Sequence, residues 1–325
     1  MRNSAYIAYM MLGLIWGTPF IFTHWAAAYI TPAQIVLIRV ISGFVPVLLF
    51  ALATRTLKWW HLRHAHHFVA MAALATVLYY LAFAKGTILL LSSVAGMLSG
   101  AIPLFSGLCA LLFLRDEPLN RRLLGGLILG FLGIVVIARP WQTGLDAVNP
   151  QGILYIVLGS LSLGCSFVYA RKFISPLGIA PAALCTYQMG LGAIVLLLTV
   201  DATNVTAIFQ DTHATLGLIL GLGTIGTGIA YILYYLLVAK LGAIRTASVT
   251  YIPPVVALFI GCTLAGEPLH GADLVAISAI LLGVFIMQTG RQVSASPSKH
   301  TSVTTKRIAC PSRPTSPNST PSPCN

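Results

Sequence analysis

The chain has 325 residues, 57% of them hydrophobic and only 8% charged, with a mean hydropathy of +0.88. Soluble domains carry about 25% charged residues, so the composition excludes a soluble globular protein and leaves a polytopic membrane protein. The net charge of +12 does not point to nucleic acid, because the cations sit in short segments between apolar runs.

Apolar runs of the ~17–25 residues needed to cross a ~30 Å hydrocarbon core predict ten helices. They fall at about 5–23, 32–53, 68–85, 90–113, 121–139, 152–170, 180–199, 215–239, 245–264 and 272–289. The runs are continuous, whereas barrel strands would alternate, so helices are expected. With the first end in the cytoplasm, the inner side receives Arg2, Arg55, Lys58, Arg63, Arg115, Arg121, Arg122, Arg171, Lys172, Lys240, Arg245, Arg291 and the four cations beyond residue 291. The outer side receives Lys85 and Arg139, with Asp146, Asp201, Asp211, Glu267 and Asp273. That bias obeys the positive-inside rule and places both termini in the cytoplasm, in a plasma membrane of the bacterial inner-membrane kind.

In helix 1, Trp16-Gly17-Thr18-Pro19 puts a proline mid-span. The carbonyl it frees needs a partner, which marks either a packing kink or the lining of a cavity. Helix 2 carries Arg39, at a cost of ~2.5–3.5 kcal/mol for a central Arg. It is expected to face the interior, bonding helix-end carbonyls. The following loop holds Lys58-Trp59-Trp60 and His61, His64, His66 and His67, which read as an interfacial anchor and not as a metal site. Helix 3 has Tyr79 and Tyr80, then Lys85 at its end, where a cation complements the helix dipole.

Helix 4 carries Ser92, Gly96 and Gly100 at four-residue spacing, beside Ser99 and Pro103. Such small residues either let helices approach closely or leave room for a substrate. Glu117-Pro118 reads as helix punctuation, with the carboxylate at the positive end of the next helix. Gly126, Gly130 and Gly133 form a small-residue stripe on helix 5, for helix packing or a dimer contact. Helix 7 offers Tyr187 and Gln188; helix 8 offers Tyr231, Tyr234 and Tyr235, ending near Lys240. Helix 9 repeats the helix 4 theme with Ser248, Tyr251, Pro253 and Pro254, and Glu267-Pro268 repeats the punctuation. Cys109, Cys165, Cys185 and Cys262 lie within spans and read as small apolar packers without a disulfide framework.

The sequence says the same thing twice. Pro103/Pro253, Glu117/Glu267, Pro118/Pro268, Leu119/Leu269 and Gly133/Gly283 are all 150 positions apart. Pro32, Arg39 and Gly43 meet Pro181, Gln188 and Gly192 at an offset of 149, and Tyr80-Leu81 meets Tyr235-Leu236 at 155. Five helices per copy is an odd number, so the expected fold is all-α, with ten transmembrane helices in two inverted five-helix repeats, residues 1–140 and 151–290. Residues 291–325, rich in Ser, Thr and Pro, are expected to form a disordered cytoplasmic tail.

Leu12 to Phe22 (LGLIWGTPFIF), Pro32 to Gly43 with Arg39, and the two Pro-to-Glu-Pro stretches resemble the EamA family of the drug/metabolite transporter superfamily. The resemblance covers residues 5–290. It implies a central substrate path between the halves and export of small metabolites such as amino acids, aromatic ones included. Where the family often has an aromatic in helix 6, this chain has Cys165-Ser166, set opposite Trp16-Gly17.

Paired broken helices are the best sequence pointer to a transport site. The expected path is lined by Trp16, Thr18, Tyr79, Tyr80, Ser92, Gly96, Ser99, Pro103, Ser166, Gln188, Tyr231, Tyr235, Ser248, Tyr251 and Pro253. Arg39, Lys85, Lys240, Glu117 and Glu267 are expected to serve as structural charges. Neither a catalytic set nor a cofactor or metal motif is present, and the expected partners are a small-molecule substrate and the bilayer, without nucleic acid, in a monomer or weak homodimer. A phosphate or sugar-phosphate exchanger and a non-transporting membrane scaffold or sensor are the alternatives.

Overall fold

The computed structural model describes residues 2–114, 121–141, 148–241, 246 and 248–294. Among these, nine helices are long and apolar enough to cross a membrane. They are α1 (Ala5–Ala27), α2 (Pro32–Ala53), α3 (Trp59–Leu89), α4 (Ser92–Phe113), α5 (Arg121–Ala138), α6 (Pro150–Leu177), α7 (Pro181–Thr199), α8 (Thr212–Val238) and α10 (Gly271–Thr289). A tenth apolar helix, α9 (Ser248–Leu264), is shorter. The described residues contain no strand, so the chain is an all-helical membrane protein. The predicted tail, Arg291 excepted, lies mostly outside the described residues, as do Glu117 and Pro118.

Helix starts follow the sequence chemistry. Thr31 and Gln34 form a capping box at the start of α2, with Pro32 in the first turn, and Asn149 accepts from the Gln151 and Gly152 amides ahead of α6. Helix α3 begins earlier than its apolar core, because the Trp59–His64 segment winds into a short 3₁₀ turn that runs on into the span.

The main packing pairs are α5 with α10, α2 with α8, α3 with α6, α4 with α9, α4 with α6, α2 with α7, α1 with α9, α3 with α7 and α1 with α8. Exchanging α1–α5 for α6–α10 maps this set onto itself: α1·α9 becomes α6·α4, α1·α8 becomes α6·α3, and α2·α8 becomes α7·α3. The correspondence reaches single residues. A Cβ on Gly17 would run into Val256, and a Cβ on Gly164 would lie 2.8 Å from the Ser106 amide nitrogen; Ser106 and Val256 are 150 apart. The contacts therefore pair Gly17 with Gly164, two positions before the Ser166 set against it by sequence alignment. Helices of one half lie between those of the other, so the chain through Ser294 forms one compact unit.

Apolar burial does not drive association between helices in lipid; close backbone approach does. On the α5–α10 seam, a Cβ on Gly126 would lie 2.5 Å from the Gly283 carbonyl, and one on Gly133 would lie 2.9 Å from the Ala276 carbonyl. The glycine stripe on α5 thus packs within the chain, and the dimer contact considered from sequence is not needed to explain it. On the α4–α9 crossing, Gly96 faces Ala257, Gly100 faces Pro254 and Gly261 faces Ser93. Gly96 and Gly100 serve close packing and leave no substrate space at that crossing.

Several helices are irregular at matching places. Helix α1 is interrupted at Thr18, where Pro19 cannot donate to the Ile15 carbonyl; the Thr18 hydroxyl donates to it at 2.8 Å instead. Helix α4 breaks between Ser99 and Ile102, ahead of Pro103, and α9 opens with a 3₁₀ turn, Ser248–Tyr251, ahead of Pro253. Helices α3 and α8 contain wide π-helical stretches, Ala72–Leu78 and Gly217–Ile229. Each comes just before the tyrosines of its helix, and wide turns of this kind recur at functional sites.

Candidate functional site

Aromatic side chains of α1, α8 and α3 form a continuous run of contacts that starts and ends on α1. Trp16 on α1 lies 5.7 Å from the Tyr234 ring on α8, Tyr234 lies 5.8 Å from Tyr235, and Tyr235 stacks at 6.2 Å on Tyr231. The Tyr231 hydroxyl meets that of Tyr80 on α3 at 3.4 Å. Tyr80 packs on Tyr79 at 4.8 Å, Tyr79 on Phe83 at 4.7 Å, and Phe83 returns to Phe20 on α1 at 6.5 Å. Tyr79 and Phe83, and Tyr231 and Tyr235, are each four residues apart and share a helix face; Trp16 and Phe20 have the same spacing but flank the interruption at Thr18. Tyr79, Tyr231 and Tyr235 are half-buried, and Tyr80 is buried.

Arg39 enters this run from α2. Its Nε donates to the Thr227 hydroxyl of α8 at 3.0 Å, and its guanidinium lies 4.0 Å above the Tyr80 ring. The helix-end carbonyls expected as its partners are not the ones it uses. Thr227 belongs to the π-helical stretch of α8 and donates its own hydroxyl hydrogen to the Leu222 carbonyl. The cation is thus held by a polarised hydroxyl and an aromatic face. Gln188, the repeat counterpart of Arg39, is 5% exposed.

Of the remaining expected residues, Gly96 faces the Phe20 ring and Tyr251 packs on the cluster that holds Phe20 and Phe83. Ser166 is buried and donates to the Leu163 carbonyl, beside Cys165, whose Sγ is 3.3 Å from that of Cys109 on α4. Ser99 donates to the Gly96 carbonyl, with Pro103 at the break that follows. Ser248 bonds the Tyr9 hydroxyl at 2.9 Å, and the Tyr251 hydroxyl is buried without a hydrogen-bond partner among the described residues. Pro253 is buried and packs against α1 through its carbonyl, 3.2 Å from a Cβ placed on Gly17. Lys85 and Lys240 are exposed, with the Lys85 ammonium 5.7 Å from the Tyr155 ring.

Glu267 is not a cap for its own following helix. Its Oε1 accepts from the Ser92 amide at 2.7 Å and the Ser92 hydroxyl at 2.6 Å, and its Oε2 accepts from the Ser93 amide at 2.8 Å. It therefore caps α4, in the other half, and occupies the Ser92 hydroxyl expected to face substrate. Partial burial pushes its carboxyl upward, but the hydrogen bonds from Ser92 and Ser93 outweigh this and hold it below the model-peptide value. Other ties on the same face also cross the halves. Tyr29 donates to Asp211 at 3.0 Å, Gln34 donates to the Asp201 and Thr203 carbonyls, and Arg139 pairs with Asp273 in a buried ion pair. On the opposite face, Tyr9 meets Ser248 and His67 Nδ1 meets the Tyr169 hydroxyl at 2.8 Å.

Sequence reasoning passed over Phe20, Phe83, Thr227 and the Arg139–Asp273 pair. The first two were legible as four-residue partners of Trp16 and Tyr79. Thr227 was not, because its role depends on the wide turn of α8, and the ion pair joins residues 134 positions apart.

The fold and its packing define a polytopic helical membrane protein with interlocked halves. The model of the EamA-like transporter family matches residues 3–139 and again 150–289: the chain belongs to that family. It is 24% identical over 272 residues to an uncharacterized transporter of Archaeoglobus fulgidus, covering 84% of this chain and 94% of the relative. It is 26% identical over 258 residues to the uncharacterized transporter YdfC of Bacillus subtilis, covering 79% and 82%. It is also 26% identical over 202 residues to the uncharacterized inner membrane transporter YedA of Escherichia coli, covering 62% and 63%. A solved crystal structure, 19% identical with TM-score 0.59, covers 91% of this chain and 100% of its own; at that identity it speaks for the fold alone.

Proposed function

We propose that the protein exports small metabolites such as amino acids, aromatic ones included, by alternating access between two inverted repeats, residues 1–140 and 151–290. The observation that carries this reading is the run of aromatic contacts that joins α1 and α3 of one half to α8 of the other. A substrate enclosed there touches both halves, so rocking one against the other changes the side to which it is exposed. The exchange-symmetric packing supports inverted repeats, since five crossings reverse the direction of the sixth.

In this reading the Glu267 face is external and both termini are cytoplasmic, in a bacterial inner membrane, as the cation distribution favours. The working unit is a monomer or weak homodimer. Cysteines introduced at Tyr80 and Tyr231 should react with a small membrane-impermeant thiol reagent, in a background lacking native thiols, and Tyr231→Leu should lower efflux at least tenfold in proteoliposomes. A centre closed to the reagent from both sides would refute the transport path.

A further inference from the structure

A cation inside a membrane normally faces a counter-charge, and Arg39 has none among the described residues. The chain has only seven acidic residues, and each of the four described is engaged elsewhere. Asp201 bonds Thr203, Asp211 bonds Tyr29 and the start of α8, Glu267 caps α4, and Asp273 pairs with Arg139. Asp116, Glu117 and Asp146 lie outside the described residues, in sequence segments between predicted spans.

A guanidinium carries five N–H donors in a planar fork. Nε–H is used on Thr227. The two terminal nitrogens have no acceptor among the described residues, and the residue retains accessible surface. Thr227 fixes one edge of the fork and the Tyr80 ring one face, which fixes the direction of the free edge. That edge presents parallel N–H groups, the geometry that matches a carboxylate bidentately. The residue aligned with Arg39 in the other half, Gln188, is 5% exposed and has no hydrogen-bond partner among the described residues. A phosphate monoester carries close to two negative charges, and the corresponding position of the other half is this neutral amide.

Resting on the transport reading above, we infer that Arg39 is the docking point for a carboxylate of the transported molecule, with Tyr80 and Tyr231 bordering the group that carries it. The substrate class is then a small monocarboxylate or amino acid, and the bound carboxylate supplies the missing counter-charge.

The test uses the full-length protein in liposomes of zwitterionic lipid. Phenylglyoxal modification of Arg39 is followed by peptide mass spectrometry in the presence of 3-phenylpropionate, L-phenylalanine, phenethylamine, L-phenylalaninamide or inorganic phosphate. At least one of the two carboxylates should slow modification of Arg39 fivefold or more, with the amine, the amide and phosphate inert. In parallel, counterflow of the same organic probes is compared in wild type, Arg39→Lys, Arg39→Gln and Thr227→Val. Arg39→Gln should lose carboxylate counterflow a hundredfold, Arg39→Lys should keep part of it, and Thr227→Val should raise KM several-fold with little change in the limiting rate. The labelling arm uses unaltered protein, so a variant that fails to fold does not blunt it. Equal protection by phosphate or by the amine, or counterflow in Arg39→Gln with an undiminished preference for carboxylates, would overturn the carboxylate site and leave the transporter standing. Wild-type protein that neither moves nor is protected by any probe would count against both.

Discussion

Replacing Glu267 by glutamine should loosen the face on which it lies. The carboxylate accepts hydrogen bonds from the Ser92 amide, the Ser92 hydroxyl and the Ser93 amide, all between 2.6 and 2.8 Å. Hydrogen bonds to a charged acceptor contribute about 1.5–3 kcal/mol each. Glutamine keeps one acceptor oxygen but sets an amide N–H₂ against the Ser93 N–H. The expected loss is about 2–3 kcal/mol, the equivalent of one charged bond with its partner left unmatched, and water entering a half-buried site limits it to that. This shifts the closed-to-open equilibrium of the face by about 30- to 150-fold.

Spin labels at Leu91 and Leu269, both exposed on either side of this contact, report the separation as a distance distribution in a background free of native cysteines. Glu267→Gln should enlarge the long-distance population, and Glu267→Ala should enlarge it further. The pH dependence has a definite sign. The carboxyl is held below its ordinary value of 4.5, so its contribution is fully present above about pH 4.5 and is lost as pH falls through the lower folded value. Wild type at acid pH should therefore resemble Glu267→Gln at pH 7, and the variant should not respond to that acidification. Identical distance distributions in wild type and both variants at pH 7 would refute the argument.

Three further outcomes follow from the packing. Gly126→Ala should destabilise the protein by about 1–3 kcal/mol, because the added carbon meets backbone of α10 at 2.5 Å; Gly125→Ala, with nothing within 4 Å, should be neutral or slightly stabilising. Thermal unfolding in detergent separates the two, and equal midpoints would contradict the seam. Asp273→Asn leaves Arg139 buried and uncompensated and should cost about 3–5 kcal/mol, while adding Arg139→Gln should recover part of it; a double variant worse than the single would argue against the pair. Finally, oxidation should join Cys109 to Cys165 across α4 and α6, whose sulfurs lie 3.3 Å apart. Because these helices belong to different halves, the bond should arrest efflux reversibly with dithiothreitol, and Cys165→Ser should be insensitive. Continued efflux by a fully crosslinked sample would disprove rocking at that contact.

Much of the fold was legible because a membrane leaves few options for an apolar run. Span positions came from length and hydropathy, and the duplicated prolines marked where α4 and α9 break. The candidate site was read less completely. The tyrosines of α3 and α8 were visible as aromatic faces, but Ser92 and Gly96 were assigned to a substrate path although one is occupied by Glu267 and the other by Ala257. A small residue that admits a helix and one that admits a ligand look alike until the neighbouring helix is in place.

Sequence by itself determined the all-helical membrane class, the approximate positions of the spans and the doubling of the sequence, since these depend on local hydropathy, caps and prolines along one stretch of chain. Tertiary structure alone decided which charges are matched. Glu267 reaches Ser92 and Ser93 across 175 and 174 positions, Arg39 reaches Thr227 across 188, and Arg139 finds Asp273 while Arg39 finds no acid among the described residues. In a low-dielectric interior the nearest partner in space sets the energy of a charge, and sequence order does not specify that partner.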